Sequence, residues 1–126
     1  MAADAYLKVA AGQLQQAATE VKREADVARA EATNFKQKVS GDIVSMKARL
    51  NAKEYERDRR RDEPHAYATL NLQVQQIQKE IQEKQQEMDQ KVSEAEQIAR
   101  GKEGAMQGLK SQASQLQQQS ADPNLR

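Results

Sequence analysis

The sequence predicts an all-α protein: one long antiparallel two-helix coiled-coil hairpin that spans residues 1–126. Three observations support this prediction. Strong helix formers such as Ala, Gln, Glu and Lys dominate the chain. Apolar residues recur at alternating spacings of three and four, which is the heptad pattern of a coiled coil. Pro64, one of two prolines, lies near the midpoint, where a turn would fold the chain back on itself.

The composition excludes an ordinary compact domain. Only 37% of the residues are hydrophobic and 3% are aromatic, whereas a typical globular domain is roughly 45–50% apolar. Long helices that share a narrow apolar seam need much less of this material. We therefore expect a first arm over 4–61, a turn over 62–64 within the broader region 61–65, a second arm over 65–119, and a flexible tail over 120–126.

The first arm carries a heptad seam with one irregularity. The alternation of three and four is regular from Leu7 to Phe35, and then two successive spacings of four connect Phe35, Val39 and Ile43. Such a stutter locally unwinds a supercoil. Gly41 lies inside it, and the flanking residues at 40 and 42 are of types that can cap a new helix. A continuous helix is favoured, and a break near 40–42 is the alternative.

The second arm carries a matching seam, so the two arms can be aligned. Folding the chain back at residues 61–62, beside Pro64, places Phe35 opposite Met88 and Ile43 opposite Ile81, which pairs large residues with large ones. The alternative is that the seams pair between chains, as a dimer or a four-helix bundle. The residues expected to pack in the seam are Leu7, Leu14, Val21, Phe35, Val39, Ile43, Met46, Leu50, Leu70, Val74, Ile77, Ile81, Met88, Leu109 and Leu116.

The turn region contains a cluster of arginines. Asp62 is the expected N-cap of the second helix, since Pro64 suits a first helical turn. Arginine forks bind phosphates and carboxylates, but five acidic residues lie among these arginines. The favoured interpretation is a solvated, charge-paired helix end. An acidic protein partner or a nucleic acid is the weaker alternative. The candidate partner-binding tip consists of Arg57, Arg59, Arg60 and Arg61.

No residues suggest an enzyme, so we expect no catalytic, cofactor-binding or metal-binding site. The chain has no cysteine and one histidine, His65, which lies beside the expected turn. A catalytic triad needs a base beside a nucleophile, and zinc needs several converging ligands. The glycines at 101 and 104 flank a lysine but lack the spacing and the preceding strand of a phosphate-binding loop.

The charge balance and hydropathy narrow the expected partners. The formal net charge is +1, without the basic excess that nucleic-acid-binding proteins usually show. No apolar run approaches the length of a membrane span, and the first residues lack the features of a signal peptide. We therefore expect protein partners or self-association, disfavour nucleic acid and membranes, and take the cytoplasm as the default compartment.

These expectations favour a structural or assembly protein that acts as a spacer, linker or docking rod in a larger complex. The first alternative is a holdase-type or secretion-associated chaperone that clasps clients with its arms, using Met46, Met88 and Met106 as a soft binding surface. The hairpin outline resembles prefoldin-type chaperone subunits and small rod components of bacterial secretion machines, a resemblance of architecture alone. The second alternative is a partner-binding tip formed by the arginines.

Overall fold

A computed structural model describes the backbone of residues 2–121 and the side chains of residues 4–119. The chain forms two long helices, α1 (Ala2–Asp58) and α2 (Pro64–Ala121), and the described residues include no strand. The two helices pack against each other as an all-α hairpin, which confirms the predicted fold class. They contribute to two compact units: a terminal unit (Met1–Glu31 with Glu94–Arg126) and a turn unit (Ala32–Ser93).

The turn unit has a core of large side chains. Val39, Ile43 and Met88 are buried at 4%, 5% and 6% exposure, and Phe35, Ile81 and Val92 pack against them. Residues from α1 and α2 contribute equally to this cluster. It contains both of the pairs that the sequence alignment placed opposite each other, Phe35 with Met88 and Ile43 with Ile81.

The core of the terminal unit consists mainly of small residues. Its buried positions recur at intervals of seven on each helix: Ala11, Ala18 and Ala25 on α1, and Ala99, Met106 and Ala113 on α2. A repeat of seven keeps one side of a helix facing its partner. Since an alanine side chain is a single methyl group, it allows two helix backbones to approach closely and gain dispersion energy.

The stutter in α1 does not interrupt the helix. Residues 40–42 are helical, and α1 runs without a break from Ala2 to Asp58. No residue described has a positive φ, Gly41 included. The alternative of a break near 40–42 is therefore wrong, and the preferred continuous helix is present.

The turn covers residues 59–63 and differs in detail from the expectation. α1 ends at Asp58 instead of 61. The last hydrogen bond of helical spacing at this end runs from the Arg59 amide to the Tyr55 carbonyl, at 3.2 Å. α2 begins at Pro64 instead of 65. The N-cap is Glu63 and not Asp62, because the Glu63 carbonyl accepts the first helical hydrogen bond, from Tyr67 at 2.8 Å. A residue that precedes proline avoids the helical conformation, which makes position 63 the last non-helical residue.

The ends of the hairpin agree only partly with the expectation. α2 extends to Ala121, so residues 120 and 121 of the expected tail are helical, and residues 122–126 lie outside the described part of the chain. All fifteen expected seam residues are buried or half-buried. Five are buried, namely Val39, Ile43, Val74, Ile77 and Met88.

Candidate protein-binding surfaces

Arg57 does not belong to an exposed tip. Its side chain is only 21% exposed. It donates hydrogen bonds to Asn71 Oδ1 at 3.0 Å and Asp58 Oδ1 at 3.1 Å, and its guanidinium lies 6.0 Å from the centre of the Tyr67 ring. These contacts join the last turn of α1 to the first turns of α2. The structure thus corrects the expectation for Arg57, which stabilises the turn unit instead of facing outward.

The other three arginines of the predicted tip are exposed. The guanidinium of Arg59 lies 5.5 Å from the centre of the Tyr55 ring. Arg60 pairs with Glu63 at 3.4 Å, and Arg61 is exposed beside them. Arginine can hold such exposed contacts weakly and still exchange them for a partner, because surface ion pairs contribute little to stability. Of the four arginines predicted to form the tip, Arg59, Arg60 and Arg61 are thus the exposed ones.

Two shallow grooves border this tip. A groove of about 450 Å³ is lined by Glu56, Arg60, His65, Ala66, Thr69 and Leu70. A second groove, of about 420 Å³, is lined by Tyr55, Glu56, Arg59, Arg60 and Glu63. Glu56 and Arg60 belong to both grooves. Each groove therefore offers both an acidic and a basic side chain and has no single sign of charge.

His65 lies at the start of α2 and is exposed. Its carbonyl accepts a hydrogen bond from the Thr69 hydroxyl at 3.0 Å, a local contact within the helix. Among the described residues, no group of three or more His, Cys, Asp or Glu side chains is arranged to hold a metal ion. The environment of His65 thus shows a helix-surface histidine in a shallow groove.

A group of ion pairs in the terminal unit centres on Arg29. Its Nε and one terminal nitrogen donate to the two carboxylate oxygens of Glu96 at 3.2 and 3.1 Å, and its other terminal nitrogen contacts Glu103. Arg100 also donates to Glu96 at 3.2 Å. The hydrogen bond from Arg29 holds the pKa of Glu96 below its usual value, and the same hydrogen bond raises the pKa of Arg29.

A second ion pair crosses the terminal unit on another side. Lys102 donates to Glu24 at 2.7 Å. Lys102 is half-buried, with its amine turned to this glutamate. On α1 itself, a hydrogen bond from Arg23 lowers the pKa of Glu20, and the same bond raises that of Arg23. The Arg23 to Glu20 distance is 2.6 Å.

Large apolar side chains also lie outside the seam. In the part of the chain whose side chains are described, the exposed ones are Tyr6, Val9, Val27, Val44, Tyr55, Leu72 and Ile98. Leu72 and Val44 of the turn unit are 66% and 68% exposed, and Ile98 of the terminal unit is 55% exposed. The chaperone alternative expected Met46, Met88 and Met106 to form a soft binding surface. Met88 and Met106 are instead buried, and Met46 is half-buried.

The cross-helix pairs of the terminal unit were not predicted from the sequence. Glu96 and Glu103 are seven residues apart and each directly follows a seam position, and Arg29 directly follows the seam position at 28. In an antiparallel coiled coil, positions that flank the seam in this way face each other and often carry opposite charges. This signal was present in the sequence, although it required the alignment of the two arms to be fixed first.

Comparison with protein-family models, with curated proteins and with solved structures found no match to this chain. Among the described residues, no helix combines the length and the apolar character that crossing a membrane requires.

Proposed function

We propose that this protein is a non-enzymatic assembly protein, a coiled-coil hairpin that docks other protein chains along the outer faces of its helices. The observation that carries the proposal is the distribution of large apolar side chains. Seven of them point outward into water, in both units, although the seam between the helices already has its own apolar residues. A docking protein covers such side chains with its partner.

The apolar side chains divide into a packed set and an exposed set. Apart from alanines, the buried hydrophobic side chains in the described part are Val39, Ile43, Val74, Ile77, Met88 and Met106. The exposed large ones are seven: Tyr6, Val9, Val27, Val44, Tyr55, Leu72 and Ile98. Single exposed apolar residues are normal on proteins. The seven include Val44, Leu72 and Ile98, each more than half exposed, and such side chains support surfaces that another protein covers.

Covering these residues contributes to affinity. Removing a Val, Leu or Ile side chain from water stabilises a complex by about 1.5–3 kcal/mol before the costs of association are subtracted. Leu72 and Val44 in the turn unit and Ile98 in the terminal unit are exposed enough to contribute in this way. Both units therefore offer docking positions, which fits a linker or spacer. We propose the cytoplasm as the compartment in which the protein acts.

Site-specific photo-crosslinking in cells that contain the protein tests the proposal. A benzophenone amino acid replaces Leu72 or Ile98, and the adducts are separated and identified by mass spectrometry. Matched controls carry the same group at the adjacent exposed glutamines Gln73 and Gln97. We expect defined protein adducts from Leu72 or Ile98 that are weaker or absent at the glutamines.

The identified partner must then bind the purified protein, and Leu72→Ser or Ile98→Ser must weaken that binding. An absence of adducts at both apolar positions would contradict the proposal, as would equal adducts from the apolar and glutamine positions. Helicity measured by circular dichroism shows whether each variant is folded.

A second candidate function is the binding of an acidic protein partner at the turn. Two observations favour it. Arg59, Arg60 and Arg61 are exposed, and Arg60 lines both grooves beside the turn. Replacing all three by glutamine would then weaken the identified partner's binding and reduce its dependence on salt. Unchanged binding would exclude this site. The chaperone alternative has less support, because Met88 and Met106 are buried and offer no soft surface.

A further inference from the structure

We infer that one face of the terminal unit, here called the acidic face, binds a basic amphipathic helix of another protein. The acidic face is defined by Glu20, Glu24, Val27 and Glu31 on α1 and by Glu94 and Ile98 on α2. The inference rests on the proposed docking function and adds to it the chemical class of the partner and the place where it binds.

Val27 and Ile98 lie on the same face of the helix pair. Arg29 of α1 and Glu96 of α2 meet on one side of the seam through two hydrogen bonds. Val27 precedes Arg29 by two residues and Ile98 follows Glu96 by two, which is about 200° around each helix. Both side chains therefore point to the other side of the pair. They are 45% and 55% exposed there.

A second contact marks the same face. Glu24 of α1 and Lys102 of α2 form an ion pair at 2.7 Å. Glu24 precedes Val27 by three residues, and Lys102 follows Ile98 by four, and residues at these spacings share one side of a helix. The ion pair and the two apolar side chains thus occupy successive helical turns of one continuous surface.

The charges around Val27 and Ile98 are mainly negative. On α1, successive spacings of four, three and four separate Glu20, Glu24, Val27 and Glu31, so these residues lie along one side of the helix. On α2, Glu94 lies four residues before Ile98 and shares its side. Two basic side chains border this set, and each pairs with one of its glutamates: Arg23 with Glu20, and Lys102 with Glu24. The acidic face therefore has more carboxylates than cations and attracts a partner that carries positive charge.

The same charges argue against a second copy of this chain as the occupant. A two-fold contact that covers Val27 and Ile98 with their own copies also brings the glutamates of both copies together. Like charges placed opposite each other in an interface disfavour binding. A partner with lysines or arginines beside an apolar stripe covers the two side chains and neutralises the carboxylates at once.

A helix is the partner shape that fits this surface. Two packed helices leave a shallow longitudinal groove between them, and an amphipathic helix binds such a groove with side chains spaced three and four residues apart. Its apolar stripe would contact Val27 and Ile98, and its basic flanks would contact the carboxylates beside them, Glu31 among these. This arrangement adds a third helix to the pair, the packing found in helical bundles.

The probe for the test is a fluorescein-labelled synthetic peptide with leucines along one side of its helix and lysines along the other. Fluorescence anisotropy measures its affinity for the full chain. An analogue in which every lysine is glutamate tests the sign of the charge. We expect the lysine peptide to bind, to bind more weakly when NaCl rises from about 50 to about 300 mM, and the glutamate peptide to bind at least about tenfold more weakly.

Two pairs of variants locate the binding site. Ile98→Ser should weaken the lysine peptide about tenfold, whereas Val44→Ser, which changes an exposed valine of the turn unit, should leave it unchanged. Glu31→Lys should weaken it further, whereas Asp26→Lys makes the same change of charge on the other side of α1 and should have little effect. All four positions are exposed, so the fold tolerates the substitutions, and circular dichroism verifies this.

Three results would overturn the inference. They are equal binding of the lysine and glutamate peptides, equal effects of the variants and their controls, and self-association of the chain that Ile98→Ser abolishes. The last result would assign the face to a second copy. The photo-crosslinking experiment separates this failure from failure of the docking function, because adducts at Leu72 alone would keep the function and exclude the acidic face.

Discussion

Arg29 on α1 holds both carboxylate oxygens of Glu96 on α2, with donor to acceptor distances of 3.2 and 3.1 Å. This two-point contact fixes the orientation of both side chains, which a single contact from a lysine would not do. The remaining terminal nitrogen of Arg29 contacts Glu103, one heptad further along α2. One arginine thus joins α1 to two successive positions of α2.

Loss of Arg29 should destabilise the helix pair more than loss of a comparable arginine that contacts only its own helix. We expect Arg29→Ala to lower the midpoint of thermal unfolding, because two carboxylates of α2 lose their partner on α1. Arg23→Ala is the matched control, since Arg23 pairs with Glu20 on the same helix. Circular dichroism during heating measures both. Equal shifts would show that the cross-helix contact adds nothing.

The stabilisation from Glu96 should depend on pH. Its pKa in the folded chain is lowered, first by the hydrogen bond from Arg29. A group of this kind stabilises the fold fully above its unfolded-state pKa, about 4.3 for glutamate. The effect disappears as the pH falls through the lower folded-state pKa. The difference in urea unfolding between the unmodified chain and Glu96→Gln should therefore be largest near pH 7 and shrink as the pH falls below the unfolded-state pKa.

The control for this pH dependence removes the arginine. In an Arg29→Gln background, the additional change Glu96→Gln should have a smaller effect on the free energy of unfolding at pH 7. Its effect should also vary less between pH 7 and pH 3. A pH dependence that is equally strong with and without Arg29 would mean that other contacts of Glu96, such as that with Arg100, cause it.

The seam should carry most of the stability. Ile77 is 4% exposed and Leu72, five residues earlier on the same helix, is 66% exposed. Ile77→Ala should lower the free energy of unfolding by about 2–4 kcal/mol, since it removes buried methyl groups and leaves a gap. Leu72→Ala should change it by less than about 0.5 kcal/mol in the isolated chain. Urea unfolding measures both, and similar losses would contradict this assignment of core and surface.

The glycines of α2 should be replaceable by alanine with a gain in stability. A methyl group added at Gly104 would have no neighbouring atom within 4 Å. Gly104→Ala should therefore raise the free energy of unfolding by up to about 1 kcal/mol, the difference in helix propensity between the two residues. The reverse change beside it, Ala105→Gly, should lower it by a similar amount. A loss of stability in Gly104→Ala would show that the glycine has a packing role.

Apolar periodicity and one proline were enough to predict the fold. The seam from Leu7 to Val39 indicated a long first helix, and Pro64 located the turn. The N-cap was harder to assign, because Asp62 has the better side chain for capping. The backbone restriction before proline decided in favour of Glu63, whose carbonyl accepts the first helical hydrogen bond.

The surface was less predictable than the seam, for a physical reason. Heptad periodicity identifies which side chains lie between the helices, but not which long polar side chains reach across. Arg57 was expected at an exposed tip, yet Tyr67 and Asn71 of α2 hold it inward. Arg29 and Lys102 find glutamates on the opposite helix, and such contacts depend on the exact alignment of the two arms.

The central claim is that α1 packs against α2 of the same chain and leaves the outer faces open to partners. Ala25 of α1 and Ala99 of α2 are both fully buried, at 0% exposure. The chain has no cysteine of its own, so a pair introduced at these two positions has no competitor. Ala25→Cys combined with Ala99→Cys therefore tests the claim by oxidation followed by non-reducing gel electrophoresis. The account predicts a disulfide within single chains, which migrate as cross-linked monomers. Disulfide-linked dimers as the main product would contradict it and would mean that the helices pack between chains.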